Sequence, residues 1–335
     1  MQLSAKDEAR VGVPDEAWFR PQISRKELKE VTARSDRAGL LNFGLWFVLL
    51  LISAYIAFRA WGSWWAIPAF FVYGTLYSSS DARWHECAHG TPFRTRWIGE
   101  SWYHLSSFMT LREGYLWRWS HSRHHTYTGM HGLDSEVQVP RPANLLAIAS
   151  DLLDISDGAV QLRTIAQHAL GIVSDRVKDF VPFGERRKMI WSSRIYVAVI
   201  LGVVCLSLVT RSILPLMFVI LPRFYGGWHH LLCSLTQHAA LAENERDHRL
   251  NTRTVYMNPL SRFLYMNMNY HVEHHIFPMV PFYSLPALHE LVKAQLAPAY
   301  PGFIAAYREL IPALIKQSRD AEYYVRRPLP MTPGS

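Results

Sequence analysis

The sequence predicts an all-α integral membrane protein, with four spans in two helical hairpins and a helical cap on the cytoplasmic side. Three observations predict it. The chain holds two pairs of apolar runs, the longest close to the ~20 residues that a helix needs to cross a hydrocarbon core. Only Arg59 and Arg211 among the Lys and Arg residues fall in the short connectors inside those pairs. Twelve Trp and 16 Tyr exceed the needs of a water-soluble core and suit the aromatic belts at lipid–water boundaries.

The elements follow in order. Residues 1–38 are polar and charged, with no apolar stretch behind a basic start, so no cleavable signal peptide is expected and insertion begins at the first apolar run. That run covers residues 39–58, and the second covers 64–80, where Pro68 and Gly74 are tolerable in a membrane helix. Residues 81–192 are polar and aromatic, and 145–192 read as an amphipathic helix lying at the interface or packed on the surface. The third span is expected at 195–209 and the fourth at about 213–235. The fourth is interrupted by Arg223, Gly226 and Gly227 and is expected to be broken or partly interfacial. The organisation is therefore an N-terminal segment (1–38), a membrane domain (39–295) and a polar C-terminal tail (296–335).

Composition constrains the function class. Half the 335 residues are hydrophobic and 19% charged, yet the mean hydropathy is only -0.01, so apolar and polar stretches must be segregated. The formal net charge of +8 could mark nucleic-acid binding. Its placement argues otherwise: the N-terminal segment, the 81–192 block and the tail carry nearly all of it, which puts those three and both termini on the cytoplasmic side. Cys87, Cys205 and Cys233 are isolated, so neither a disulfide framework nor a cysteine metal site is expected.

Chemistry is concentrated in the histidines. Of 16, eight fall in three clusters: His85 and His89 after the second run, then His121, His124 and His125, then His271, His274 and His275 after the fourth. Residues three and four apart share a helix face, so each cluster offers two or three imidazoles toward one point. Packing so many imidazoles together without a metal would leave like charges or unmatched donors in contact. Eight exceed what one zinc takes and suit two metals of higher coordination, with Zn, Cu, Fe and Ni all compatible with imidazole. A lone histidine is ordinarily a surface or satisfied core residue, and His104, His131, His168, His248 and His289 are read so. His229 and His230 are read as interfacial.

The three clusters, HxxxH, HxxHH and HxxHH over roughly residues 40–295, resemble the membrane fatty acid desaturase and hydroxylase superfamily. The resemblance implies a four-helix membrane fold and a centre of two non-haem irons with O₂ as co-substrate. The eight clustered histidines would be ligands, with His238 as a ninth at the end of the last span. Ser234, four residues earlier, stands where some members have Asn, which leaves a water-mediated ligand there in doubt. The segments WHECAHGTPF, LWRWSHSRHHTYT, TQHAALAENERDHRLNTRTV and MNYHVEHHIFP are similar to a bacterial branch that includes dihydrorhizobitoxine desaturase and the hydrocarbon oxygenase of rhizopine catabolism. That likeness implies the bacterial inner membrane and a fatty-acyl or small amphiphilic substrate.

A ligating histidine usually passes its other N–H to a carboxylate or carbonyl. Asp81, Glu86, Asp247, Asn269 and Glu273 are the candidates for this role, with Arg249 and Asn251 in the same polar run as Asp247. The expected reaction is O₂-dependent desaturation, with hydroxylation on the same centre as the alternative. A membrane zinc hydrolase or a non-catalytic metal-binding protein are remoter readings. The chain shows no iron–sulfur, rubredoxin, GxGxxG or cytochrome b5 motif, so an external ferredoxin-like donor with its reductase is expected. Arg94, Arg96, Arg112, Arg118 and Arg123 are candidates to face an acidic one.

Overall fold

The computed structural model describes residues 17–330; the expectations for 1–16 and 331–335 lie outside the described residues. Among the described residues the chain is helical, and strand pairing is limited to isolated bridges at Thr254–Tyr270 and Val255–Tyr300. A short helix α1 (Arg25–Val31), closed by a Ser24–Glu27 capping box, leads into α2 (Asp36–Ala60), which starts at the Ser35 cap. A turn at the exposed Trp61, Trp64 and Trp65 reverses the chain into α3 (Ala66–Ser78). With one intervening residue, Ser79, α3 passes into α4 (Ser80–Ala88). Then come α5 (Arg96–Met109), α6 (Gly114–Thr126), α7 (Leu145–Ser150), α8 (Ile155–Ala169), α9 (Asp175–Phe180) and α10 (Phe183–Val209).

The two longest helices, α2 and α10, are long and apolar enough to cross a bilayer. Their apolar windows are only 28% and 22% buried, unlike the core helix of a water-soluble protein. Leu41, Leu45, Leu51, Ile56 and Phe58 on α2, and Ile195, Leu201, Leu208 and Val209 on α10, face outward. A continuous apolar surface of this kind requires a non-aqueous neighbour. The third expected span begins about three helical turns too late in the sequence reading. The helix extends back to Phe183, so 183–194 belong to it rather than to an amphipathic segment. That segment resolves into α7, α8 and α9.

The fourth expected span is three short helices, α11 (Leu214–Val219), α12 (Pro222–Gly226) and α13 (Trp228–His238). Pro222 lacks the N–H that would continue α11, so carbonyls at the break lose their helical partners. Side chains of α3 replace them. Tyr73 donates to the Phe218 carbonyl at 2.7 Å, Tyr77 to Val219 at 2.6 Å and Ser78 to Pro222 at 3.0 Å. Irregular backbone at membrane depth is tolerated where protein supplies such partners. The helices approach this closely because two glycines meet: a Cβ on Gly226 would lie 2.0 Å from the Gly74 carbonyl oxygen.

Arg223, 2% exposed, ties the break to its surroundings. Its guanidinium donates to Asp154 at 2.5 and 2.9 Å and to Asp81 at 2.8 Å, and lies 3.3 Å from Asp157. Arg112 joins the same acids, 3.2 Å from Asp81. This network joins α4, α8 and α12 beneath the apolar layer.

The remaining elements are α14 (His248–Asn251), α15 (Pro259–Leu264), α16 (His271–Ile276), α17 (Leu285–Val292) and α18 (Phe303–Gln317). The region after residue 295 does not hang free. Leu310, Ala313 and Leu314 of α18 pack with Leu231 and Leu235 of α13, and Tyr307 donates to the Leu232 carbonyl at 2.7 Å. At the other end, Leu28 and Val31 of α1 pack with Leu285 and Leu288 of α17.

Removing Arg223 leaves Asp154 buried without its counter-charge and leaves Asp81 to Arg112 alone. Arg223→Met is expected to destabilise the fold by about 3–5 kcal/mol. Thermal unfolding of the detergent-solubilised protein checks this, with unchanged melting as the contrary result.

Candidate metal centre

Nine histidines from four helix ends meet at the inner end of the bundle. His85 lies on α4 and His89 closes it; His121, His124 and His125 are on α6; His238 ends α13; His271, His274 and His275 are on α16. They divide into two sets. Ring nitrogens of His85, His89, His121, His125 and His274 all lie within 4.8 Å of one another, and those of His124, His238 and His275 do likewise. His271 adjoins the second set, its Nε2 being 3.0 Å from that of His238 and 3.1 Å from that of His275.

Each HxxHH cluster therefore serves both sets, not a single point as the spacing alone suggested. On α6 the i,i+4 pair His121 and His125 faces the first set, while His124 faces the second. On α16 the arrangement is reversed, with His274 in the first set and His271 and His275 at the second. Adjacent helical residues diverge by about 100°. Two histidines in a row can therefore reach two different points.

The hydrogen bonds orient the rings. His121 donates from Nδ1 to Glu136 at 3.0 Å, and His124 donates to both oxygens of Asp134 at 2.9 and 3.0 Å. His238 donates from Nδ1 to the Asn251 carbonyl at 2.9 Å. Thr128 gives its own hydroxyl hydrogen to the His124 carbonyl at 2.7 Å, so it accepts from His275 Nδ1 at 3.1 Å. In each of these four rings the proton is drawn to Nδ1, which leaves the Nε2 lone pair facing the shared centre.

Lone pairs so aimed must have a partner. His121 and His89 approach Nε2 to Nε2 at 2.9 Å. Both nitrogens of His125 and of His274 are buried with no hydrogen-bond partner, as is Nδ1 of His85 and of His271. Native interiors seldom leave such groups unmatched. Two nitrogens bound to one cation at about 2.0–2.1 Å and at right angles are separated by about 3 Å, which the observed contacts match. The donor set therefore fits two cations that take imidazole, and suits the two irons expected.

Electrostatics point the same way. Burial, then the neighbouring imidazoles, hold His85, His89, His125, His271, His274 and His275 well below the ordinary histidine range. His124 is opposed by burial, but the Asp134 carboxylate raises it above that range. Neutral imidazole is the form that binds a metal.

The five outer residues expected from the sequence lie elsewhere in the hydrogen-bond network. Asp81 belongs to the Arg112–Arg223 network. Glu86 accepts from Thr91 at 2.6 Å and from the Phe282 amide at 3.0 Å, and burial raises it to about 7. Asp247 pairs with Arg249, Asn269 donates to the Val255 carbonyl, and Glu273 accepts from Thr254 and His289. The carboxylates that do orient the ring histidines, Asp134 and Glu136, sit in the loop after α6, ten or more residues from the cluster. Two acids close together in the loop just past HxxHH were the available signal. Asn251 contributes through its backbone carbonyl, which no side-chain pattern reveals.

Other expectations also resolve. Ser234 donates to the Leu231 carbonyl and accepts from Gln138 at 2.6 Å. His289, bonded to Glu273 and to Tyr256, is a satisfied core histidine. His248, read as ordinary, is 4% exposed, with its ring 5.0 Å from that of His275. Of the five arginines expected to face a donor, Arg112 turns inward to Asp81 and Asp157, whereas Arg94 and Arg96 are exposed. A cavity of about 50 Å³ adjoins the second set, lined by His124, His238, Asp134, Glu136, Arg141 and Glu243 among others.

The family model described as fatty acid desaturase matches residues 62–307, which contain all nine histidines. No curated protein matches the chain.

Asp134→Asn removes the charge that orients His124 and is expected to lower metal affinity roughly 10–100-fold. Asp247→Asn, which touches only Arg249, leaves it unchanged. Metal retained per chain after a chelator challenge distinguishes them. His85, His89, His125, His271, His274 and His275 stay neutral in the folded metal-free protein but protonate on unfolding below about pH 6.5. The unfolded state then binds more protons, so stability is expected to fall as pH drops below about 6.5. Melting temperature from pH 7.5 to 5, with and without metal, reads this out.

Proposed function

The chain belongs to the fatty acid desaturase family, and we propose that it is a membrane enzyme desaturating a fatty-acyl or small amphiphilic substrate with two irons and O₂. The family is a class of di-iron oxidoreductases that act on fatty-acyl-type substrates. The observation that carries the reading is the division of nine imidazoles into two adjoining sets, with ring nitrogens of His85, His125, His271 and His274 buried without partners.

His85, His89, His121, His125 and His274 would hold one iron, and His124, His238, His271 and His275 the other. Bound there, the pair would supply O₂-dependent oxidation of an unactivated C–H bond. The protein's own part is orientation and enclosure. Glu136, Asp134, Thr128 and the Asn251 carbonyl fix four ring tautomers before metal arrives. Trp84, 2% exposed, packs its ring 5.5 Å from His121 and shields the first set from water.

The outward apolar faces of α2 and α10 support a bilayer setting, from which an apolar substrate would reach the centre. We read the apolar hairpin α2–α3 and the pair formed by α10 with the broken α11–α13 as four crossings. By the distribution of Lys and Arg, both termini and the histidine end face the cytoplasm of a bacterial inner membrane. An external ferredoxin-like protein and its reductase would provide electrons.

The test combines metal analysis with product analysis. Purified protein is expected to carry two irons per chain; about one zinc and no iron would favour a hydrolase instead. Mass spectrometry of lipids and small metabolites, from cells expressing the protein or the inactive His124→Ala variant, is expected to show a product two hydrogens lighter than its precursor. A product heavier by one oxygen identifies a hydroxylase on the same centre. No difference between the two cell lines overturns the reading.

A further inference from the structure

Residues 17–24 have no regular secondary structure, yet they are firmly pinned. The Phe19 amide donates to the Arg246 carbonyl at 3.1 Å, and Gln22 and Gln295 exchange two hydrogen bonds at 2.7 and 2.9 Å. The Arg249 guanidinium lies 3.3 Å from the centroid of the Phe19 ring, held by Asp247 on its other side. These contacts bring Trp18, partly exposed, onto the protein.

Trp18 lands on a histidine. Its ring stacks on His248 with centroids 4.2 Å apart and planes 14° from parallel. Beneath it His248 meets His275, with centroids 5.0 Å apart. His275 in turn lies 5.0 Å from His124 and 4.8 Å from His238. His248 is itself fixed: its Nδ1 bonds to the Asn251 side chain at 3.3 Å, on the residue whose carbonyl orients His238. An unbroken series of π systems thus runs from the surface to the second set of histidines.

We propose that Trp18 and His248 form the entry path by which an external one-electron carrier protein reduces the centre. The proposal rests on the di-iron reading above. In each transfer the carrier's redox centre loses one electron and one ferric ion beside His275 gains it; two transfers precede each O₂ reduction. No bond forms or breaks, and both rings end unchanged. They act as a packed, water-free medium between donor and acceptor. The rival series, Trp117–Trp84–His121, meets edge to face, at 87° and 62° between planes, and Arg112 lies over Trp117 at 4.1 Å. Coplanar overlap at the surface favours the Trp18 route.

The experiment uses full-length iron-loaded protein in nanodiscs, without O₂. In a stopped-flow instrument it is mixed with reduced [2Fe–2S] ferredoxin, with reduced rubredoxin or with dithionite, and loss of the ferric absorption is followed. Trp18→Ala and His248→Leu are expected to slow reduction by a carrier protein markedly. Reduction by dithionite and iron content stay as in the unmodified protein, and Trp18→Phe restores the carrier rate. Equal slowing with dithionite marks a structural role and overturns the proposal. So does an unchanged carrier rate, a loss produced instead by Trp117→Leu, or a protein that dithionite reduces but neither carrier does. A protein that binds no iron removes the di-iron reading, and this inference with it.

Discussion

Everything in the inner half of this molecule answers to one constraint: nine imidazoles, many of them buried, aim nitrogen lone pairs into two small adjoining volumes. Such an arrangement is unfavourable by itself, because unmatched buried polar atoms cost free energy and protonation would only replace them with like charges in contact. Burial keeps most of these rings neutral, while Asp134 and Glu136 accept their Nδ1 protons from outside. The protein thereby fixes tautomer and ring direction before any cation is present. The folded state is prepared for metal at some expense to its own stability.

The scaffold meets that constraint by placing histidines where helices end. His89 and His238 are last or nearly last in their helices, and α16 is six residues long and carries three of the nine histidines. Short elements cannot hold themselves in place, so their neighbours do. The Gly74–Gly226 crossing and the hydroxyls of Tyr73, Tyr77 and Ser78 let the broken segment α11–α13 approach α3. That approach brings His238 to the other eight. The Arg223 network with Asp81, Asp154 and Asp157 anchors the same joint from the polar side. A continuous apolar helix over 213–235 would have had no means of carrying such a charge.

Both ends of the described chain also close over the centre. The segment at Trp18 is seated on His248, and α18 packs against α13. These regions look dispensable from composition, being polar and outside the apolar runs. Their contacts place one of them against a ring that touches His275, and the other along the helix that ends in His238.

Read alone, the sequence determined the helical class, the long apolar helices α2 and α10 and the eight clustered histidines, because hydropathy runs and i,i+3/i,i+4 spacing are local properties; His238 came from the family resemblance alone. The weakness of the fourth span was legible as well, since Arg223, Gly226 and Gly227 break an apolar run wherever they occur. The assignment of His124 and His125, or His274 and His275, to different sets was decided by tertiary structure, because it depends on where other helices stand around each turn. The same holds for Asp134, Glu136, Thr128 and the Asn251 carbonyl. These replaced Asp81, Glu86, Asp247, Asn269 and Glu273 as the partners of the rings, since proximity in the chain gives no direction to a side chain. Asp81 sits one turn from His85 yet serves Arg223, a residue 142 positions away. Long-range charge pairing in a buried setting outweighs adjacency, and only the folded chain brings those charges together.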